Sequence, residues 1–384
     1  MKSLGYNDDE LKSLGSYDTA IEINQQPKVW RKIWEEVFAQ KEEIKAFLRK
    51  ATQNSDNIIL TGAGTSAFIG LSLKGVFRNH THKITESIST THLVSHPTDY
   101  LSKDHPVLLV SFARSGDSPE SKAVVELADK YSSECHHLVI TCNPQGELAK
   151  GNTKNGKYVF LLPEEANDKS LAMTSSYSGM LLAGILIARI DEIEALESQV
   201  NLLIKYGTSL IGQSDFIKEI AAKDFKRAVF LGSGPLYGTA KESHLKLQEL
   251  TDGQVICKHD SYLGFRHGPK AVIDNSTIIM YLFSNKEHVL KYEKDLVVSM
   301  HKGNHMLCEI GIMESVISDL NLENTITMGA EEKVIDEEFL AVCSIIPAQL
   351  LGFHKSINLG LSPDRPSRNG AISRVVEGVK IYEI

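Results

Sequence analysis

The chain has 384 residues, 42% of them hydrophobic and 23% charged, with a formal net charge of -8; this is a globular composition, long enough for two domains that each bury a core. The acidic balance excludes the basic footprint that neutralises nucleic-acid phosphates, yet allows a small phosphate site built from a few N–H groups and hydroxyls. Five scattered cysteines, 135, 142, 257, 308 and 343, form no Cys-x-x-Cys pair and read as reduced thiols rather than a disulfide framework.

The polar, acidic start lacks the apolar stretch of a signal peptide, and none is expected. The longest apolar run, Met180 to Ala188, is about half of what a bilayer crossing needs, so a buried core helix is expected. A soluble cytoplasmic protein with no membrane or nucleic-acid partner is the expectation. Pro27 is expected to open a helix with an apolar stripe of Val29, Trp30, Ile33, Trp34, Val37 and Phe38, part of a helical extension over residues 1–50.

Short apolar runs then alternate with amphipathic stretches. Strands are expected at 57–61, 106–112, 137–141 and 157–162, with helices at about 66–77, 119–130 and 174–188. The pattern restarts with strands at 227–231, 276–283 and 305–310 and helices at about 237–250, 286–301 and 339–353, the last carrying Pro347. Continuous apolar runs separated by helices imply parallel sheets covered on both faces, a three-layer α/β/α arrangement of the flavodoxin-like kind. Gly62-Ala-Gly64 after the first strand and Gly232-Ser-Gly234 mark a repeated domain. The halves are drawn as 51–208 and 209–384, with the boundary near Tyr206–Asp215.

Two loops, Thr61-Gly-Ala-Gly-Thr-Ser66 and Ser111-Phe-Ala-Arg-Ser-Gly-Asp-Ser-Pro-Glu120, lie where strand hands over to helix, the place where open α/β sheets bind ligands. Glycines admit close approach, the helix start supplies N–H groups and a positive dipole end, and hydroxyls add donors. The third glycine of a dinucleotide fingerprint is missing, so a phosphomonoester fits better; helix capping alone is the plainer alternative for the hydroxyls. Thr174-Ser-Ser176 is expected to form a third wall.

In the second half Glu242, Lys246 and Glu249 fall at i, i+4, i+7 on one helix face. On spacing alone a solvated stripe of salt bridges is the simpler reading. The next loop, Asp260-Ser-Tyr-Leu-Gly-Phe-Arg-His-Gly-Pro-Lys270, crowds Arg266 and His267 against a Gly-Pro turn, a composition that favours function.

With Gly62-Ala-Gly-Thr-Ser66, Arg114-Ser-Gly-Asp-Ser118, Leu245-Lys-Leu-Gln-Glu-Leu250 and Arg266-His-Gly-Pro269 in this order, the chain resembles the SIS (sugar isomerase) family, which includes the isomerase domain of glucosamine-6-phosphate synthase. Ser111 to Ser121 and Lys169 to Ser176 make it most similar to the AgaS-type proteins. The resemblance implies two tandem SIS domains and conversion of galactosamine 6-phosphate to tagatose 6-phosphate and ammonia. It implies that Ser66, Ser115 and Ser118, with Thr65 and nearby N–H groups such as that of Gly64, hold the sugar phosphate; the residues themselves add Arg114, Thr174, Ser175, Lys246 and Arg266 as further candidates for contact with the substrate. Glu249 then moves a proton between C2 and C1, and His267, which can come from a neighbouring subunit, opens the ring. At least a homodimer, and no metal or cofactor, are the corresponding expectations.

This sequence departs from the synthase in three ways. The tail-lysine position holds Ile372, followed by Ser373 and Arg374, so no Schiff-base lysine is carried over. Arg114 stands where the synthase has glutamine. No glutamine-hydrolysing domain is expected ahead of the extension, so ammonia is released rather than delivered. Two alternatives stay open at this point: isomerisation of a neutral sugar phosphate, and a non-catalytic sugar-phosphate regulator.

Overall fold

The structure is a computed structural model that describes residues 3–303, 305–329, 334–376 and 378–382. Two five-stranded sheets, every pairing parallel, carry the fold. The first contains β1 (Asn57–Thr61), β2 (Ile84–Ser87), β3 (Val107–Ala113), β4 (Cys135–Thr141) and β5 (Lys157–Leu161) in the order β2-β1-β3-β4-β5. The second contains β6 (Arg227–Leu231), β7 (Ile256–Asp260), β8 (Thr277–Leu282), β9 (Cys308–Met313) and β10 (Asn324–Thr327) in the order β10-β9-β8-β6-β7. Both orders are the same: the opening strand lies between the second and the third, so the direction of winding reverses beside it. The crevice beyond the carboxyl ends of those two central strands is the ligand-binding place of such sheets.

The central strands were legible because both their faces are covered; every residue of β3, β4, β8 and β9 is buried. Three edge strands, β2, β7 and β10, were not. They are short and half exposed, so they carry no continuous apolar run. β9 also begins three residues later than its apolar pattern suggests.

Helices Asp8–Ser13, Tyr17–Ala39 and Lys41–Gln53 form the helical start. Pro27 lies inside the second of them rather than opening it. Proline has no N–H for the carbonyl four residues back, and the side-chain amide of Gln26 donates to that Ile23 carbonyl instead (3.0 Å). Of the apolar stripe, Val29, Trp30, Ile33 and Val37 are buried, and the Trp30 indole N–H donates to the Ser178 hydroxyl (3.0 Å). The expected 339–353 helix is two helices, Glu337–Cys343 and Ile346–Asn358. Pro347 falls in the first turn of the second, where its missing N–H costs nothing.

The compact units are not the linear halves drawn from the sequence. The first-sheet unit contains 28–168, 175–200 and 372–384; the second-sheet unit contains 1–27, 169–174 and 201–371. The expected linker at Tyr206–Asp215 is helical: Glu197–Ile211 runs into it with Tyr206 fully buried, and Ser214–Ala221 follows. The Tyr206 hydroxyl donates to Glu314 (2.9 Å), a tertiary bond that no local composition signals.

The Met180–Ala188 run belongs to helix Ser175–Ala188, every residue of which is buried. Among the described residues one stretch, Glu337–Asn358, is long and apolar enough to cross a membrane, and 94% of its apolar window is buried inside the protein. All five cysteines are free thiols, four of them buried.

Helix Ser175–Ala188 depends on an internal anion. Both oxygens of the fully buried Asp168 carboxylate accept N–H bonds at its first turn, from Ser175 (3.0 Å) and Ser176 (2.9 Å), and the Ser176 hydroxyl donates to the same group. A carboxylate there satisfies orphan donors and the positive end of the helix together. Asp168→Ala should lower unfolding free energy by about 1–3 kcal/mol. Urea unfolding followed by the fluorescence of Trp30 and Trp34, both in the first-sheet unit, checks this; an unchanged midpoint removes the capping role.

Candidate active site

The chain leaves β1 for helix Thr65–Thr81 through Gly64, at φ 54° and ψ -127°, a conformation that side chains exclude. The turn closes with N–H bonds from Ser66 to the Ala63 carbonyl (3.1 Å) and from Ala67 to the Gly64 carbonyl (3.0 Å). No side chain caps this helix. Thr65 and Ser66 are nearly buried in its first turn, and the Ser66 hydroxyl makes no hydrogen bond among the described residues. Capping therefore does not explain Ser66; its hydroxyl sits at the positive helix end with hydrogen-bonding capacity to offer.

β3 pairs with β1 up to Thr61↔Ser111, which makes their loops neighbours. The second loop is held from beneath. Asn143 donates to the Ser115 carbonyl (2.8 Å) and to Asp117 (3.2 Å), Glu147 N–H donates to Asp117 (3.0 Å), and Leu148 N–H donates to the Gly116 carbonyl (3.0 Å). Gly116 takes φ 69°. Ser118 caps helix Pro119–Tyr131, accepting from Ser121 N–H (3.3 Å), with the two hydroxyls 2.7 Å apart. Ser115 is partly exposed, and its hydroxyl takes only a long bond from Asp117 N–H (3.4 Å).

Arg114 is buried and donates to the Arg374 carbonyl (2.6 Å). Arg374 in turn donates through Nε to the Asp168 carbonyl (2.9 Å) and through Nη2 to Asn167 (2.9 Å). The segment after Ile372 is thereby tied to the first-sheet unit by arginine. Thr174 and Ser175 are fully enclosed, and the Ser175 N–H is committed to Asp168.

The matching turn of the second sheet has Gly234 at the same φ 54° and ψ -127°, but different surroundings. Its helix starts with Pro235, which removes the first N–H donor. Carboxylates face it: Ser284 N–H donates to Glu293 (2.8 Å), the Ser284 hydroxyl donates to Glu337, and Glu337 pairs with Lys286 (3.0 Å). Glu337 Oε2 lies 3.8 Å from where a Gly234 side chain would begin. The Glu337 charge there opposes a bound anion, so of the two turns the first offers an anion the better electrostatic setting.

Helix Pro235–Leu250 carries the row of Glu242, Lys246 and Glu249. Lys246 is 1% exposed and its ammonium lies 2.6 Å from Glu249 and 3.2 Å from the fully buried Glu242. Burial alone would push this ammonium down, but the two carboxylates outweigh it and hold it above its ordinary value. The plain reading of a solvated salt-bridge stripe fails here: two of the three residues are inside the protein. Glu249 is the member whose side chain stays 23% exposed, so it is the one a substrate can reach.

Beside it, His244 directs Nδ1–H at the Lys241 carbonyl and stacks on His259 (4.6 Å). Burial lowers both, His259 to about 3 with His244 and nearby lysines adding to it. His267 is exposed in the turn after helix Tyr262–Phe265, beside partly exposed Arg266. Neither side chain makes a hydrogen bond or ion pair with a described residue.

The structure thus brings Thr65, Ser66, Ser115 and Ser118 together in one unit, and Lys246 with Glu249 in the other. Asp168, Asn143 and Asp117 were not singled out by sequence reasoning, and Glu242 was read only as part of a helix-face row, not as a buried partner of Lys246. For Asn143 the signal was present, since Asn143-Pro144 follows a buried strand; for Glu242 and Asp168 only burial reveals the role.

The SIS domain family model matches residues 52–189. D-galactosamine-6-phosphate deaminase AgaS of Shewanella sp. (strain ANA-3) is 39% identical over 382 residues, spanning 97% of this chain and 94% of its own. The chain belongs to the AgaS family of SIS-domain proteins. Members over this full length are enzymes, and so is this chain. A Clostridium novyi NT protein, provisionally assigned as a tagatose-6-phosphate ketose/aldose isomerase, superposes with a TM-score of 0.96 at 40% identity, covering 100% of both chains. Tagatose-6-phosphate ketose/aldose isomerase from Escherichia coli gives 0.86 at 35% identity, covering 95% of this chain and 96% of its own.

Removing the lysine strands two carboxylates around a dry position. Lys246→Met should cost about 3–5 kcal/mol of stability, and adding Glu242→Gln should recover part of it. Thermal and urea unfolding of the single and double variants measure this; a Lys246→Met protein as stable as the parent contradicts the buried triad.

Proposed function

We propose that this chain converts galactosamine 6-phosphate to tagatose 6-phosphate and ammonia, working in the cytoplasm as a homodimer or larger homo-oligomer. The names of its near-full-length relatives supply the substrate. The chemistry is carried by one observation: a partly exposed carboxylate, Glu249, held by a lysine sealed inside the protein.

The phosphate is assigned to Gly64, Thr65, Ser66, Ser115 and Ser118, where an uncapped helix start and the hydroxyl of Ser66 favour an anion. Arg114 adds positive charge beneath that loop while holding the Arg374 carbonyl. Ser175 gives its N–H to the Asp168 cap, so a part in sugar binding for Thr174 and Ser175 falls to their hydroxyls. His267 passes a proton between O1 and the ring oxygen to open the sugar, and its exposed turn suits a residue offered to a neighbouring subunit.

Glu249 then takes the C2 proton and returns it at C1, while a donor such as Arg266 or a backbone N–H steadies the oxygen on which charge develops; Lys246, sealed inside and committed to Glu242 and Glu249, acts through Glu249 rather than on the sugar. The product of that transfer is a C2 imine. Water adds to it, the C–N bond breaks, and ketose 6-phosphate and ammonia leave. Lys246 donates to Glu249 (2.6 Å) and so holds its carboxylate in one orientation.

Glu249→Gln should reduce ammonia release by about 10²–10⁴-fold and leave binding of a phosphate-bearing substrate analogue nearly intact. Ser115→Ala should raise KM more than it lowers kcat. An ammonia-coupled assay on galactosamine 6-phosphate, beside calorimetric titration of the analogue, measures both effects. Ketose formation without ammonia would assign the chain to neutral-sugar isomerisation instead.

A further inference from the structure

Helix Glu287–His301 turns Glu293 into the second-sheet unit, where its side chain is 0% exposed. Tyr262 and Phe265 of the neighbouring short helix share one buried apolar cluster with Leu296 and Val297 of its own helix. The groups facing its carboxyl come from four elements. The Ser284 N–H, after β8, donates to Oε2 (2.8 Å). The Ser233 hydroxyl, after β6, is near enough to steady the charged form weakly. Glu337, on helix Glu337–Cys343, adds a second negative charge, and the Lys286 ammonium is spent on Glu337. The Tyr262 hydroxyl feels Glu293 from helix Tyr262–Phe265, and it too is sealed from water without a hydrogen bond. No cation bonds to this carboxylate among the described residues, and a charged carboxylate in such a place is costly.

Helix Tyr262–Phe265 packs on helix Glu287–His301, and the chain runs from it directly into Arg266 and His267. We propose that Glu293 is a positioning residue that holds the Ser261–Gly268 segment in place while uncharged, so that its ionisation loosens the turn carrying Arg266 and His267. This concerns the loop itself, and its effect on turnover rests on the role assigned above to His267.

Burial, and then the charge of Glu337, raise Glu293 from an ordinary 4.5 to about 7, against the partial help of Ser284 and Ser233. The folded state thus keeps a proton that the opened segment has already lost. Stability falls as pH rises from about 4.5 through about 7 and levels off above that. Between about pH 6 and pH 8 the opening equilibrium constant should rise about tenfold.

Amide-exchange protection of residues 261–268, corrected for the intrinsic pH dependence of exchange, tests this on the full-length protein. The parent should lose about tenfold in protection over that range. Glu293→Gln, uncharged and of the same shape, should be equally protected at both ends. Equal pH dependence in parent and variant overturns the proposal, as does a parent whose loop protection does not change. If Glu293→Gln also removes an alkaline fall in kcat at unchanged KM, the loop positions His267 for turnover. An inactive parent would instead overturn the proposed function while the exchange data still decide the role of Glu293.

Discussion

Each sheet hands its opening strand to a helix through a glycine held at φ 54° and ψ -127°. This single backbone requirement governs where the chain can bind an anion. It aims a helix start at the place where strand order reverses, and there unpaired donors meet an open crevice. The fold therefore prepares two equivalent anion positions in one chain. What distinguishes them is side-chain chemistry alone: threonine and serine on the first turn of one helix, proline and opposing carboxylates at the other.

That difference sets the two turns apart chemically. With the Glu337 carboxylate facing its glycine turn, the second sheet carries the row of Glu242, Lys246 and Glu249 on the helix after that turn. The buried ammonium of Lys246 is central to that helix. It stays charged because two carboxylates flank it, and it limits the freedom of Glu249, the only one of the three with appreciable exposure. Ion pairs sealed this way contribute little net stability; their use here is to fix one carboxylate in one orientation.

The same economy recurs in the first-sheet unit. Asp168 occupies the start of helix Ser175–Ala188, and Arg374 grips the backbone beside it. A helix that is apolar all round needs its polar ends satisfied from within. Hydroxyls at 174–176 were expected to face a ligand because they precede such a helix; the structure gives the N–H groups of Ser175 and Ser176 an internal partner first. The loop after β3 is braced likewise by Asn143 and Asp117 from the loop after β4, contacts between strands adjacent in the sheet though about 30 residues apart in the chain.

Sequence by itself determined the parallel two-sheet architecture, the two glycine turns, the hydroxyl-rich loops and the i, i+4, i+7 alignment of Glu242, Lys246 and Glu249, because each is local: period, turn chemistry and helical spacing are written over a few neighbouring residues. Tertiary structure alone decided that this alignment is buried rather than solvated, that Ser66 is not a cap while Ser118 is, that edge strands β2, β7 and β10 exist, and that Glu293 lies without a cation among the described residues. Burial and partner choice depend on residues tens to hundreds of positions away, and no short window of sequence contains them.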